Sequence, residues 1–203
     1  MGIIPDSRRR GLGRKLVEHL VYEAIQRGDR RMELEVIEIN HLAIQLYRNS
    51  GFEILRRLRS FRLDPAPIGE KHNLEQVDLL TVARMVTTYG LEDMPWQLSG
   101  ESLAQTNPPN RAYRLGEAAA IISNPAADKI SLRALVTSVQ SGSEMYSLRL
   151  LQALFAHFPG RIWIVPAIWP EEAGAILEEA GFKDGEFSQF QMRLDLPVES
   201  SSQ

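Results

Sequence analysis

The chain repeats part of its own sequence at an offset of 130–131 residues, and this repeat constrains the fold more than any other feature. Three pairs of segments align: Arg31–Val36 with Arg161–Pro166, Leu46–Phe52 with Ile176–Phe182, and Arg62–Asp64 with Arg193–Asp195. In each copy a helical pattern, a strand pattern, a second helical pattern, Gly-Phe and a further strand pattern occur in the same order. A repeat of this length is one structural unit used twice, so it predicts two copies of one fold.

The two copies differ in how much sequence precedes the aligned segments. The second copy begins near Leu74, and the equivalent start of the first copy would fall at position −56, before the sequence begins. We therefore expect the first copy to lack its front half, and a start codon assigned too far downstream would explain this. The predicted organisation is a partial domain at 1–64, a Pro- and Gly-containing linker at 65–73, a complete domain at 74–197 and a disordered tail at 198–203.

Hydrophobic periodicity predicts alternating helices and strands along the chain. Leu16, Val17, Leu20, Val21 and Ala24, for example, repeat with helical spacing, and a glycine comes after the pattern. The same reasoning predicts helices over residues 13–27, 40–47, 74–89, 145–157 and 171–180, and strands over residues 32–36, 52–63, 112–123, 129–139, 162–165 and 187–196.

The composition excludes several classes of protein. The chain has no cysteine, which excludes a disulfide scaffold and a zinc–cysteine site. No apolar run approaches the ~20 residues that a membrane span needs, and the N-terminus has no signal-peptide pattern, so we expect a cytoplasmic protein. The histidines, at positions 19, 41, 72 and 157, share no ligand spacing, so we expect no metal site.

Charge is distributed unevenly along the chain. Residues 1–63 contain 13 Lys and Arg against 8 Asp and Glu, a net charge of +5, while residues 64–203 carry −8. This asymmetry indicates that the front segment meets something anionic. Nucleic acid, a phosphate-bearing cofactor and a solvated surface are all compatible with the charge alone.

The segment before the first predicted helix contains the strongest candidate for a binding site. It reads Ile3-Ile4-Pro5-Asp6-Ser7-Arg8-Arg9-Arg10-Gly11-Leu12-Gly13. Because Gly11 and Gly13 lack Cβ atoms, their backbone can approach a ligand closely. The N–H groups at a helix start attract anions, and the adjacent arginines add charge-assisted contacts. The segment therefore predicts a cradle for a pyrophosphate group.

Together with the next 50 residues, this segment resembles the Gcn5-related N-acetyltransferase (GNAT) family. Arg8, Gly11 and Gly13 match the family's acetyl-CoA loop, Arg/Gln-x-x-Gly-x-Gly/Ala, and Pro5 fits the usual end of the preceding strand. The family's next strand, Asn and Leu-Tyr-x-x-x-Gly-Phe signature are matched by residues 34–37, Asn40 and residues 46–52. The resemblance covers residues 2–63. It implies an α/β (α+β) fold, with a mixed central sheet flanked by helices on both faces, in two copies, the first carrying the acetyl-CoA motif.

The resemblance also implies an activity: direct transfer of an acetyl group from acetyl-CoA, as co-substrate, to an amine of a small molecule or peptide in a ternary complex. Tyr47 would protonate the departing CoA thiolate as general acid, and Asn40 would help to place the pantetheine arm. Backbone amides of residues 9–14 would hold the pyrophosphate. The cofactor-binding residues implied are Ile3, Ile4, Arg8, Arg9, Arg10, Gly11, Leu12, Gly13, Arg14, Asn40, Ala43 and Tyr47.

These candidates also have purely structural interpretations. Tyr47 would simply pack its ring, and Asn40 would only cap a helix. Arg9, Arg10 and Arg14 would form a solvated face, as would Arg56, Arg57 and Arg59, which could instead line a strand edge. The tryptophans at positions 96, 163 and 169 fit core or interface positions better than a stacking platform.

The second copy lacks the residues that would carry this chemistry. Leu177 stands where the first copy has Tyr47, Pro170 stands in place of Asn40, and residues 138–143 contain no arginine and one glycine. We therefore expect the second copy to be degenerate, with a structural or substrate-shaping role.

Two other functions are compatible with the sequence. A non-catalytic module that binds CoA or a protein partner is supported by the degenerate second copy. A nucleic-acid binder using the arginine cluster is disfavoured by the acidic second part, a pI of about 5.9 and the absence of interleaved aromatic residues. We expect neither a nucleic acid nor a membrane as partner. An uncovered sheet edge in the partial first copy predicts self-association.

Overall fold

The computed structural model describes residues 11–65, 72–139 and 142–197. The chain forms two compact units, of which the first combines Met1–Arg57 with Gln189–Gln203 and the second is Leu58–Ser188. Most of the predicted linker and the predicted tail lie outside the described residues. The domain boundaries inferred from the repeat stay a prediction, and the compact units are divided at other positions.

The first unit places two helices on a small sheet. Its elements are α1 (Leu12–Gln26), β1 (Arg31–Ile37), α2 (His41–Asn49), the first part of β2 (Glu53–Leu63) and the last part of β8 (Lys183–Asp195). The strand order is β1-β8-β2, and β1 runs antiparallel to β8 with Leu34 opposite Met192. The strand nearest the C-terminus therefore lies between two strands from the front of the chain.

The core of the first unit results from the alternation of side chains in β1. Met32, Leu34 and Val36 pack in a cluster with Val17 of α1 and Ile44 of α2. The alternate residues of a strand point to the other face. There Glu33 accepts hydrogen bonds from Gln191 and Arg193 of β8 at 3.1–3.2 Å. One face of this sheet is thus apolar and covered by helices, and the other is polar.

The second unit contains the remaining elements. They are β3 (Glu75–Val77), α3 (Leu79–Tyr89), α4 (Gly100–Ala104), β4 (Arg111–Leu115), β5 (Ala118–Ile122), β6 (Lys129–Thr137), α5 (Ser143–His157), β7 (Ile162–Pro170) and α6 (Gly174–Glu179), with the other parts of β2 and β8. The strand order is β8-β2-β7-β6-β5-β4-β3. Strands β6 and β7 are parallel, whereas β2 is antiparallel to β7 and β5 is antiparallel to β4 and β6, so the sheet is mixed.

Strand β5 shows how the second unit is covered on both faces. All five of its residues, Ala118–Ile122, are buried. Ala118, Ala120 and Ile122 pack with residues of α5 and α6, whereas Ala119 and Ile121 pack with residues of α3 and α4. The expectation of a mixed sheet flanked by helices is confirmed; its occurrence in two copies stays a prediction.

Two predicted elements were wrong. The helix predicted over residues 74–89 is strand β3 and then α3, which begins after Asp78, whose side chain accepts a hydrogen bond from the Leu80 backbone N–H at 2.7 Å. The strand predicted over residues 112–123 is a hairpin of β4 and β5, because the chain turns at Gly116, where φ is +58°. Within the described residues, the helices are too short or too polar to cross a membrane.

Candidate functional site

The start of α1 has the geometry of an anion site. Gly11 precedes the helix with φ +74°, a left-handed conformation that favours glycine. The space where a Cβ of Gly11 would stand is open, with no described atom within 4 Å. The first N–H groups of a helix have no intrahelical acceptor, and among the described residues no side chain caps those of α1. The first turn of α1 contains no acidic residue. An anionic group placed there would meet unsatisfied donors and the positive end of the helix dipole.

The side chain of Arg14 is engaged along the helix. Its Nε donates to Glu18 Oε1 at 2.7 Å, and both side chains are exposed. The hydrogen bond from Arg14 and the charge of Glu18 raise the pKa of the Arg14 guanidinium. The contact of the Arg14 backbone N–H with a pyrophosphate, which the resemblance implied, stays a prediction.

Part of the predicted cofactor loop cannot be compared with the structure. Ile3, Ile4, Arg8, Arg9 and Arg10 lie outside the described residues. Their predicted contacts with the cofactor therefore stay predictions.

Asn40 caps α2. Its Oδ1 accepts a hydrogen bond from the backbone N–H of Ala43 at 3.3 Å, and its own backbone N–H donates to Ile37 O at 2.9 Å. The capping interpretation is confirmed, and it means that the backbone N–H of Ala43 already has an acceptor. The roles of Asn40 and Ala43 toward a cofactor stay predictions.

Tyr47 is half-buried on α2. Its ring meets that of Phe52 edge to face, with centroids 5.9 Å apart and planes at 64°. Burial raises the pKa of the Tyr47 phenol above its ordinary value of 10.0. Within the described part of the chain, its hydroxyl has no hydrogen-bond partner. At neutral pH the side chain is therefore a protonated phenol that is able to donate its proton to a ligand.

Arg59 does not belong to the solvated face predicted for Arg56, Arg57 and Arg59, and β2 lies between β8 and β7, so these arginines do not line a strand edge. The side chain of Arg59 is only 15% exposed, donates to Asp184 and Glu178 at 2.6–2.9 Å, and lies 4.7 Å from the ring centroid of Phe61. Burial by itself would lower the pKa of Arg59, but the hydrogen bonds to the two carboxylates outweigh it and the pKa is raised. Arg57, which is more exposed, pairs with Glu38 at 2.9 Å.

Two of the three tryptophans lie in the core. Trp163 and Trp169 are buried, as the core interpretation predicts, whereas Trp96 is exposed and does not belong to the core.

Across residues 11–65, 72–139 and 142–197, no group of three His, Asp or Glu side chains is placed to hold a metal ion.

The structure identifies one neighbour of the site that the sequence analysis missed. Phe52 was assigned only to the Gly-Phe signature, but its ring packs on Tyr47. In the sequence, Phe52 follows Tyr47 by five residues and comes directly after the glycine that closes the predicted helix, and this spacing could have indicated the contact.

Comparison with known families gives a match to the front of the chain. Residues 1–52 match the model of the Acetyltransferase (GNAT) family. Over 52 residues the chain is 46% identical to [Ribosomal protein bS18]-alanine N-acetyltransferase of Escherichia coli K12 and 48% identical to its namesake of Salmonella typhimurium LT2. These matches cover 26% of this chain and 35% of each relative, so the chain spans about a third of the length of these curated relatives.

Comparison with solved structures extends over nearly the whole chain. A GCN5-related N-acetyltransferase from Sphaerobacter thermophilus superposes with a TM-score of 0.61 at 15% identity, covering 95% of this chain and 70% of that one. One from Anabaena variabilis gives a TM-score of 0.61 at 17% identity, covering 95% and 53%. At these identities the likeness concerns the fold.

Proposed function

We propose that this chain is a GNAT-type N-acetyltransferase, which moves an acetyl group from acetyl-CoA directly to an amine. The observation that carries the proposal is the start of α1. A left-handed glycine with open space beside it opens a helix without an acidic first turn, inside the segment that matches the GNAT model. These features fit the pyrophosphate of CoA, since they offer backbone donors and positive potential to an anion.

The proposed reaction needs few groups from the chain. The nitrogen of a neutral amine attacks the carbonyl carbon of the acetyl group, and the carbon–sulfur bond then breaks. Tyr47 gives its phenolic proton to the departing thiolate, a role supported by its place in the matched segment and by the protonated state of a phenol at neutral pH. The nitrogen gives up one proton to solvent as the amide forms, and the phenolate of Tyr47 is reprotonated from solvent. The curated relatives are named for acetylation of an alanine in a ribosomal protein. We therefore place the α-amine of a peptide beginning with alanine first among the acceptors to test.

We further propose that residues 74–197 form a degenerate copy of the same fold. Gly11, Gly28 and Gly51 have φ values of +74°, +76° and +92°, and their counterparts Gly142, Gly160 and Gly181 have +72°, +72° and +96°. The helix-ending hydrogen bond from Phe52 N to Tyr47 O has its equivalent from Phe182 N to Leu177 O, both at 3.0 Å. The chemistry differs, because α5 has Glu144 in its first turn and Leu177 has no hydroxyl. This copy is proposed to be non-catalytic.

Two further parts of the proposal concern the setting of the protein. We place it in the cytoplasm, as the cysteine-free composition suggests.

Self-association through the outer edge of β1 is supported by its terminal place in the strand order of the described residues. Light scattering that gives a monomer mass at every concentration would contradict self-association.

Matched glycine variants test the cofactor site. In calorimetric titrations with acetyl-CoA, we expect saturable binding to the wild-type chain, at least tenfold weaker binding to Gly11→Asp, and unchanged binding to Gly142→Asp. Both glycines are left-handed, and no described atom lies within 4 Å of either Cβ position, so we expect a similar backbone cost for the two substitutions. Only the first puts a carboxylate where the pyrophosphate is proposed to bind.

The outcomes separate the candidate functions. Equal loss of affinity in both variants, or no binding to the folded wild-type chain, would contradict the cofactor site. Binding without release of free thiol in the presence of an alanine-starting peptide and a panel of amines would favour the non-catalytic module.

A further inference from the structure

We infer that Phe52 is a positioning residue, whose ring holds the side chain of Tyr47 in the one rotamer that presents its hydroxyl to the departing thiolate. This inference rests on the proposed function for its catalytic consequence. The effect of Phe52 on the orientation of the Tyr47 side chain is testable without measuring catalysis.

The first step is the turn that ends α2. The backbone N–H groups of Gly51 and Phe52 donate to the carbonyl oxygens of Arg48 and Tyr47, both at 3.0 Å. Gly51 has φ +92°, and a Cβ there would lie 3.1 Å from Leu194 Cδ1, so a residue with a side chain would fit poorly at this position. Phe52 is thus hydrogen-bonded directly to the backbone of the residue that its ring contacts.

The second step is the rigidity of the Phe52 ring. Phe52 is 3% exposed and packs with Val17, Val36 and Met192, which come from α1, β1 and β8. A ring held from three elements has little freedom to move. It therefore offers Tyr47 a fixed edge-to-face surface.

The third step is that ring packing orients Tyr47 where no hydrogen bond does. Among the residues that the structure describes, its hydroxyl has no partner. Without an anchoring hydrogen bond, the rotamer of a helical tyrosine is set by the helix backbone, which still allows two χ1 values, and by the groups that touch its ring. Phe52 is the aromatic group that does so.

The second copy supplies a matched control. Phe182 occupies the same turn after Gly181, is also 3% exposed, and donates to Leu177 O. Its ring meets Phe155 at 5.9 Å, and Leu177 stands where the first copy has Tyr47. Truncating Phe182 removes a core ring of equal burial without touching Tyr47.

The first experiment measures the rotamer of Tyr47. In a chain labelled with ¹³C and ¹⁵N, three-bond couplings from the backbone N and C′ to Cγ of Tyr47, assigned with Tyr47→Phe, report χ1. We expect single-rotamer couplings in the wild type and in Phe182→Leu, and rotamer-averaged couplings in Phe52→Leu. Single-rotamer couplings in a folded Phe52→Leu variant would overturn the inference.

The second experiment measures catalysis with acetyl-CoA and an alanine-starting peptide. We expect kcat to fall about tenfold in Phe52→Leu and about 100-fold in Tyr47→Phe, with KM for acetyl-CoA within about twofold of the wild type, because general acid catalysis and its alignment are affected. An equal fall of kcat in Phe182→Leu would show a merely structural effect and overturn the inference. If the wild type shows no turnover, the proposed function fails, while the couplings still decide the role of Phe52.

Discussion

Helices α1 and α5, which we propose to be counterparts in two copies of one fold, lie in different surroundings. Each has 15 residues, and each begins after a left-handed glycine. Yet α1 buries only Val17 and Ala24 among the described residues, whereas α5 buries seven residues. At matched positions, Leu20 is 43% exposed and Leu151 is fully buried. The two helices therefore share their length and their starting turn but differ in how many of their residues are buried.

The two helix starts also differ in charge. Helix α1 has no acidic residue in its first turn, whereas α5 has Glu144 there. A carboxylate in the first turn stabilises its own helix and repels an approaching anion. The same backbone geometry is therefore open to a phosphate group in the first unit and disfavours one in the second.

Truncating Leu151 and Leu20 in turn tests the contrast in burial most strongly. We expect Leu151→Ala to lower the free energy of unfolding by about 2–5 kcal/mol, because it leaves a cavity in a closed core. Leu20→Ala is expected to cost less than about 1 kcal/mol, since the side chain is half in solvent. Urea unfolding monitored by tryptophan fluorescence and circular dichroism measures both. Equal losses of unfolding free energy would show that Leu20 is buried in solution. That result would contradict the difference in burial between α1 and α5.

A smaller change in stability separates two arginines of β2. Arg59→Leu removes hydrogen bonds to Asp184 and Glu178 and the contact with Phe61, so we expect a loss of about 1–2 kcal/mol from the second unit. Both carboxylates are more than half exposed, which keeps this figure modest. Arg57→Leu, which removes a more exposed pair with Glu38, is expected to cost about 0.5 kcal/mol. Denaturant midpoints in low and high salt would check both values, and a larger loss for Arg57 would reverse the ranking.

The titration of Tyr47, which has no counterpart at Leu177, is expected to shift to higher pH. Burial raises the pKa of its phenol above 10.0, so the folded chain holds this proton to higher pH than the unfolded chain does. The contribution of this pKa difference to the free energy of unfolding is fully present below pH 10 and is lost as the pH rises above it. The difference in 295 nm absorbance between wild type and Tyr47→Phe should show a midpoint above pH 10. A midpoint at or below 10 would mean that the phenol is solvated.

Sequence reasoning predicted the local elements of the repeat well, because they depend on nearby residues. Asn40 as a helix cap and the strand from Met32 to Val36 could be inferred from side-chain hydrogen bonding and period-two alternation. The hairpin at Gly116 was missed because β5 is a continuous apolar run, Ala118–Ile122, that is buried on both faces and therefore shows no alternation to separate it from β4.

The partners of the functional side chains were harder to predict. Arg59 was expected in solvent, but its carboxylate partners lie 119 and 125 residues away in the sequence. No local pattern encodes such a pairing. Phe52 was visible as part of a signature, but only the folded turn shows that its ring touches Tyr47.

The position of β8 between β1 and β2 has a consequence for synthesis on the ribosome. The first unit cannot complete its sheet until residues 189–195 have emerged, more than 120 residues after the end of β2. At roughly 5–20 residues per second, the nascent chain would wait on the order of ten seconds with two strand edges unpaired. Any fragment ending before β8, whether made by proteolysis, by a premature stop or by cloning the front of the chain alone, would carry those edges permanently and be prone to aggregate.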